Sequence, residues 1–490
     1  QPMNRLRFAL PLLLLPATAV LADSFERDDA LKLPNVVISA NRQVQARNDS
    51  SAANSVFTRD DIDRLQPTSV SDLLSRVPGV QVAQSGGRGS VTNVYVRGTS
   101  TAQSLVLVDG QRISSSTTGT SNLQYLNIDQ IERVEVLRGS RSAIYGSDAI
   151  GGVIQIFTRR NTESGLQPRL HVGFGSNQTW ERNLGLSGGD QQTRFSLGAS
   201  LDDTAGINRT RTSYPSDGDH DAYRNQAISF SLSHAFTDEI DAGVNVLDNR
   251  GKSEFDNPFG RYDSLNYQSF QQQPYTDFTV SSVSSYVDAR LNDAWKSRLE
   301  LGHSENREKT LDKLSDDRSV FNTYRDSLTW QNDLTLNDQN SLILGGDWYE
   351  DRVNSSTVLA EDSRWNRAAF IQHRFETQYF STELGLRRDQ NQQFGGHTSW
   401  SGTLTLPVNP DNDLLFSYSE GFRAPTFNDL YYPDEYGFKN ANPNLKPETS
   451  KSYELQWRSQ LSDTSRLEAS LYRTDIQDAI VFGSDGPQNV

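Results

Sequence analysis

The segment "SYPSDGDHDAY" (213–223) places Asp217, Asp219 and Asp221 at every second position. In an extended loop these side chains project to one side and crowd three negative charges. Such crowding is costly without a hard cation, and calcium takes about six to eight oxygens in flexible geometry. The neighbouring positions do not fit an EF-hand, and a solvated acidic loop is the competing interpretation. Little else in the chain is equipped for chemistry. The histidines (171, 220, 234, 303, 373 and 397) are scattered, cysteine is absent, and no HExxH, Walker or nucleophile-elbow pattern occurs. These features argue against an enzyme, a thiolate metal site and a disulfide scaffold.

The elements that must carry this loop show a two-residue period from about residue 165 onward. Leu170, Val172 and Phe174 alternate with His171 and Gly173. Phe195, Leu197, Ala199 and Leu201 alternate with Ser196, Gly198 and Ser200, and Ile228, Phe230 and Leu232 with Ser229, Ser231 and Ser233. Leu414, Phe416 and Tyr418, then Leu467, Ala469 and Leu471, repeat the theme. A soluble sandwich would carry more charge on its polar face and would end sooner. The pattern predicts an all-β transmembrane antiparallel β-barrel, apolar outside and polar within.

Of 490 residues, 35% are hydrophobic, and the long apolar run is "FALPLLLLPATAVLA" at 8–22. It is too short and too N-terminal for a spanning helix. Following Arg5 and Arg7 and ending in Val20-Leu21-Ala22, residues 1–22 are expected to be a signal peptide, with 23–33 a short extension. Losing those two arginines takes the net charge from −15 to −17, which disfavours nucleic acid.

Between about Asn35 and Arg160 the texture is mixed. "TRDDIDRL" and "SVSDLLSRVPGV" read as short helices with Thr58 and either Ser69 or Ser71 as N-caps and Pro78-Gly79 as a stop. "NVYVRG", "SLVLVDG" and "RVEVLRG" read as β-runs that end at glycine.

"NVVISANR" (35–42), "SVSDLLSRVPGVQV", "VYVRGTS", "LVLVDGQRI" and "RVEVLRGSRSAIYGSDAIGGVIQIFTRR" (133–160) resemble, in order and spacing, the plug domain of TonB-dependent outer-membrane transporters. "EGFRAPTFNDLYYPDEYGFKNANPNLKPETSKSYELQW" (420–457) resembles the late-barrel signature of the same family. Within it, "QPTSVSDLLSRVPGV", "RSAIYGSDAIGGVI" and the aspartate cluster are most similar to the cobalamin (vitamin B-12) transporters.

The resemblance implies an α+β plug at 34–160 lodged in a barrel at 165–490. In the glycine-rich stretch, Gly139 is expected to end the strand Arg133–Leu137, and Ser140–Tyr145 to form a short helical turn. Gly146, Gly151 and Gly152 would permit positive φ or close approach. Val153–Phe157 would lead toward the first barrel strand, and Arg138, Arg141 and Asp148 would form ion pairs between plug and wall.

The resemblance also implies active import of cobalamin across the outer membrane by a monomer embedded in lipid, driven by TonB with ExbB and ExbD. TonB would pair as an added strand with a box at Pro34, Asn35, Val36, Val37, Ile38, Ser39 and Ala40. Calcium would be held by Asp217, Asp219 and Asp221, with Asn208, Asp248 and Asp256 as further ligands. Asn208 stands where the family has an aspartate, and Leu247 where it has a tyrosine. Cobalamin would touch Val91, Asn93, Ser100, Thr117 and Thr118, whose neutral side chains suit a corrin fringed with amides.

A ferric siderophore or haem receptor is the alternative. A passive porin or adhesin is disfavoured by the plug and box. The family barrel has 22 strands, whereas residues 165–490 leave room for about 16. The chain is therefore expected to be C-terminally truncated and, with unpaired strand edges, not to insert stably.

Overall fold

The computed structural model describes residues 37–38, 45–46, 50–161, 164–210, 218–258, 260–263, 268–434, 437–462 and 465–490. A short antiparallel pair, Val37–Ile38 with Gln45–Ala46, comes first. The elements that follow are β1 (Ala53–Phe57), α1 (Arg59–Leu65), α2 (Val70–Leu74), β2 (Val80–Gln84), β3 (Thr92–Val96), β4 (Ser104–Val108), β5 (Gln111–Arg112), β6 (Ile131–Arg138), α3 (Ser142–Tyr145) and β7 (Gly152–Thr158).

Both early helices begin where their caps dictate. Thr58 and Asp61 form a reciprocal capping box on α1, and Ser69, not Ser71, accepts from the Asp72 N–H to cap α2. Helix α2 ends at Leu74, before Pro78 is reached. The strands form a five-stranded sheet in the order β1-β6-β7-β4-β5, with β2 and β3 a separate hairpin. Only β7 and β4 run parallel, and β4 is buried along its whole length, as its unbroken apolar run requires. Asp109 and Gly110, with φ of 45° and 84°, turn β4 back into β5. Both values are the left-handed ones that a two-residue Asp-Gly hairpin uses. Val153–Phe157 belongs to the last strand of the plug, and the next strand is the first of the wall. It lies within the plug sheet, between β6 and β4.

The wall is one antiparallel sheet of 15 strands joined in sequence order. They are β8 (Gln167–Gly175), β9 (Thr179–Gly189), β10 (Thr193–Thr204), β11 (Tyr223–Ala235), β12 (Ile240–Glu254), β13 (Pro274–Asn292), β14 (Trp295–Asp312), β15 (Arg318–Asn337), β16 (Asn340–Ser355), β17 (Ser363–Glu376), β18 (Ser381–Asn391), β19 (Gly395–Asn409), β20 (Asn412–Arg423), β21 (Glu448–Ser462) and β22 (Ser465–Gln477). A short helix, α4 (Phe427–Tyr431), lies between β20 and β21. The sheet curls around the plug without closing, since β8 and β22 are its two unpaired edges. Its 15 strands among the described residues compare with the roughly 16 expected, and β15 alone has 20 residues.

Alternation sets the two faces. Leu170, Val172, Phe174, Leu197, Ile228 and Leu471 are exposed on the outside, while Ser196, Ser200, Ser229 and Ser231 are buried within. One rim carries the long connections 205–222, 255–273 and 424–447, and the other has short turns such as 190–192 and 236–239. Long loops on one rim and short turns on the other are the habit of outer-membrane barrels.

Candidate functional site

At the long-loop rim, residues 218–222 meet the segment that follows β12. Carboxylate oxygens of Asp219, Asp221 and Asp256 lie within 4.8 Å of one another. Asp221 is buried, and its Oδ2 accepts from the Arg209 backbone N–H at 2.9 Å, with the Arg209 guanidinium 3.7 Å away. Burial pushes the Asp221 carboxyl up to about 6 against the pull of Arg209, with Asp256 and Asp219 adding to the rise. Both carboxylate oxygens of Asp256 are buried without a hydrogen-bond donor among the described residues. Buried anionic oxygens left without donors are costly. An all-oxygen, multiply anionic set of this kind fits a hard cation such as calcium.

Asp217 lies outside the described residues. Asn208 lies one residue before Arg209, and its Oδ1 accepts from the Thr210 N–H at 2.9 Å. Asp248 is corrected as a ligand. Asn249 faces inward and accepts from the plug's Asn127 N–H at 3.0 Å, so Asp248 points out of the wall and pairs with Arg250 at 2.7 Å.

Arg209 is a residue that the sequence reading missed. Besides bonding Asp221, it donates through Nη2 to the Arg88 carbonyl at 3.4 Å, in the plug loop 85–91. Ser253 donates to the Gly89 carbonyl of the same loop at 2.8 Å. The acidic cluster and the plug's upper loop are thus mechanically joined. The one available signal was the position of Arg209 next to Asn208.

Val91 closes that loop and is 59% exposed. Asn93 is half-buried on β3, while Ser100 and Thr118 are exposed on two neighbouring turns. Gly119 and Ala102 bring those turns into contact. Thr117 differs: it is 1% exposed, its hydroxyl is bonded to that of Ser115, and its carbonyl accepts from the Asn428 N–H of α4. Three of the five residues are thus exposed, Asn93 is half-buried and Thr117 is buried beneath α4.

Of the box residues, the backbone of Val37 and Ile38 is an extended strand paired with Gln45–Ala46. Pro34, Asn35, Val36, Ser39 and Ala40 lie outside the described residues.

The ion pairs between plug and wall differ from expectation. Arg138 reaches Glu468 of the wall at 3.9 Å. Asp148 instead pairs with Arg112 inside the plug, and Arg141 forms no ion pair among the described residues. Arg88 with Glu181 and Arg97 with Glu454 are wall contacts the sequence reading did not single out.

A plug filling the lumen of a lipid-facing β-wall, with loops of both converging at one rim, defines a gated outer-membrane receptor. The TonB-dependent Receptor Plug Domain family matches residues 46–153, and the TonB dependent receptor-like, beta-barrel family matches residues 112–490. The vitamin B12 transporter BtuB of Photobacterium profundum is 31% identical over 489 residues, spanning 99% of this chain and 76% of the relative. That of Vibrio vulnificus is 31% identical over 496 residues, spanning 98% and 76%. Among solved structures, the siderophore receptor PirA from Acinetobacter baumannii superposes with a TM-score of 0.73 at 22% identity, covering 88% of this chain and 71% of that one. A point mutant of the ferric enterobactin receptor PfeA from Pseudomonas aeruginosa gives 0.74 at 19%, covering 93% and 77%. The chain belongs to the TonB-dependent receptors. These are outer-membrane β-barrel proteins that transport a substrate and work with TonB; they are not enzymes.

Proposed function

We propose that the protein imports cobalamin across the outer membrane, with calcium organising the outer rim. The observation that carries this reading is the 31% identity to vitamin B12 transporters across 99% of the chain. The likeness to siderophore receptors, at 22% identity or less, speaks to the fold alone.

Val91, Asn93, Ser100 and Thr118 would meet the substrate. Hydroxyl and amide groups offer neutral hydrogen bonds, which suit a ligand edged with amides better than a charged iron chelate. Asp219, Asp221 and Asp256 would hold calcium, together with Asp217 and Asn208. The ion would neutralise their mutual repulsion and fix the rim segment that Arg209 ties to the plug loop. The segment Pro34–Ala40 would pair with TonB, which with ExbB and ExbD supplies energy from the inner membrane. Main-chain pairing suits such a contact, since it tolerates sequence variation.

The test is equilibrium binding of cyanocobalamin and of ferric enterobactin to outer membranes bearing the full-length protein, with calcium and with chelator. Saturable, calcium-enhanced binding of cyanocobalamin supports the proposal. Binding of ferric enterobactin in its place would make the protein a siderophore receptor.

A further inference from the structure

The outer face of the wall changes character toward the long-loop rim. On β13, β14 and β15 it exposes an apolar band of Val283, Val287, Leu299, Leu301, Leu328 and Trp330, which suits lipid. Nearer the long loops the same face is charged. The side each charge takes follows from its neighbours. Phe278 stacks on the plug's Tyr125, Glu308 accepts from the plug's Asn122 at 3.0 Å, and Thr323 accepts from the plug's Ser116 N–H at 3.3 Å. These three face inward. By alternation Asp277, Thr279, Arg307, Lys309 and Asn322 point outward, and Arg318 with them. Together they border an open hollow of about 270 Å³.

The charges of this hollow do not balance. Elsewhere on the outer face, Arg250 meets Asp248 at 2.7 Å, Lys252 meets Glu254 at 2.8 Å, Arg473 meets Asp475 at 2.9 Å, and Arg352 meets Asp326. In the hollow, Arg307 is held by Glu305 at 3.3 Å, but Lys309 and Arg318 form no ion pair among the described residues. Asp277 stands opposite Lys309 and offsets one charge of the three, so a positive excess remains. Guanidinium and ammonium groups side by side suit phosphate oxygens, the first in bidentate fashion and the second as a point charge.

The height of the hollow selects the source of that phosphate. Tyr324 points outward one step nearer the apolar band than Asn322, as aromatic side chains do at a lipid interface. Leu328 and, on β14, Leu301 follow below it. The cations all approach from the wall side, so a free phosphate there would stay largely hydrated. A phosphate carried on acyl chains is held at this level by the chains themselves, and cations beside a bilayer attract anionic headgroups.

We propose that this hollow holds a phosphate group of an outer-leaflet lipid, whose acyl chains lie along Leu301 and Leu328. The lipid is a resident ligand of β13–β15, whatever the transported substrate is.

The test is native mass spectrometry of the full-length protein in detergent. The protein is offered an equimolar mixture of a hexa-acylated disaccharide bisphosphate and the same lipid without its phosphates. The bisphosphate should be retained over the dephosphorylated lipid by at least about tenfold. Lys309→Gln with Arg318→Gln should abolish that preference, whereas Arg473→Gln, which removes a cation already paired in the wall, should keep it within about twofold. Heat-modifiability gels report whether each variant is folded. Should the double variant not fold, the preference of the unmodified protein decides alone. Equal retention of the two lipids, or an equal loss in Arg473→Gln, overturns the site. Displacement of the bisphosphate by excess inorganic phosphate makes it a free-anion site and overturns the lipid assignment.

Discussion

Tyr125 of the plug lies flat on Phe278 of the wall, with ring centroids 3.7 Å apart and planes within 1°. Tyr223 and Leu247 enclose the pair, so four large side chains form an apolar joint inside an otherwise polar lumen. Phe278→Ala should therefore cost about 3–5 kcal/mol of plug seating. Calorimetry of the full-length protein in lipid should show an earlier transition, with trypsin cleaving within 50–161. Leu471→Ala, on the lipid face, should leave the plug resistant. Equal sensitivity in the two variants would contradict the joint.

Among the described residues, Arg97 and Glu454 form the most buried ion pair between plug and wall, at 2.6 Å. Removing one partner leaves a buried charge unpaired, which typically costs about 3–5 kcal/mol, whereas removing both is far milder. Arg97→Leu should accordingly loosen the plug more than Arg97→Leu with Glu454→Leu. Protease resistance of the four-member cycle measures this. A double variant as weak as the sum of the singles would show that the pair acts through packing alone.

Much of the fold was legible because its causes are local. Alternation reports which side of a strand meets lipid, so Leu170, Val172 and Phe174 fell on the outside as expected. Thr58 and Ser69 marked helix starts because a capping bond is made within three residues. The failures share a different cause, contact between distant segments. Tyr223, Leu247, Phe278 and Val280 face inward although apolar, because the plug covers them, and nothing in the wall's own pattern announces this. With Leu247 and Asn249 turned inward, Asp248 must face out, which is why a plausible ligand became half of a surface ion pair. Asp148 found Arg112, a partner 36 residues away within the plug, and no spacing rule reaches that far.

Gly146 has a φ of 83°, and a Cβ built there would sit 2.9 Å from Arg387 Nη2. Arg387 is fully buried and bonded to Asp347, Asp389 and the Ile144 carbonyl, so it has little room to yield. Gly146→Val thus combines left-handed strain with overpacking, each costing about 1–3 kcal/mol. In the full-length protein, heat-modifiability gels should show a loss of the compact species, while Gly395→Val, where nothing lies within 4 Å, should retain more of it. Comparable losses would mean that backbone strain, not the contact with Arg387, dominates.

The rim cluster separates ligands from neighbours by substitution. Asp256 carries two buried oxygens with no donor among the described residues, so Asp256→Asn removes a charge that accepts no hydrogen bond there and crowds Asp219 and Asp221. Its calcium affinity should fall by at least about tenfold, as expected for a lost charged ligand, while the chain without calcium becomes no less stable. Asp248→Asn breaks only a surface pair with Arg250, worth about 0–1 kcal/mol, and should leave calcium affinity unchanged. Titration with the calcium ion, followed by thermal shift and by cyanocobalamin binding, reads both effects. A loss of affinity in Asp248→Asn matching that in Asp256→Asn would mean that β12 turns its other face to the ion, against the register fixed by Asn249 and the plug.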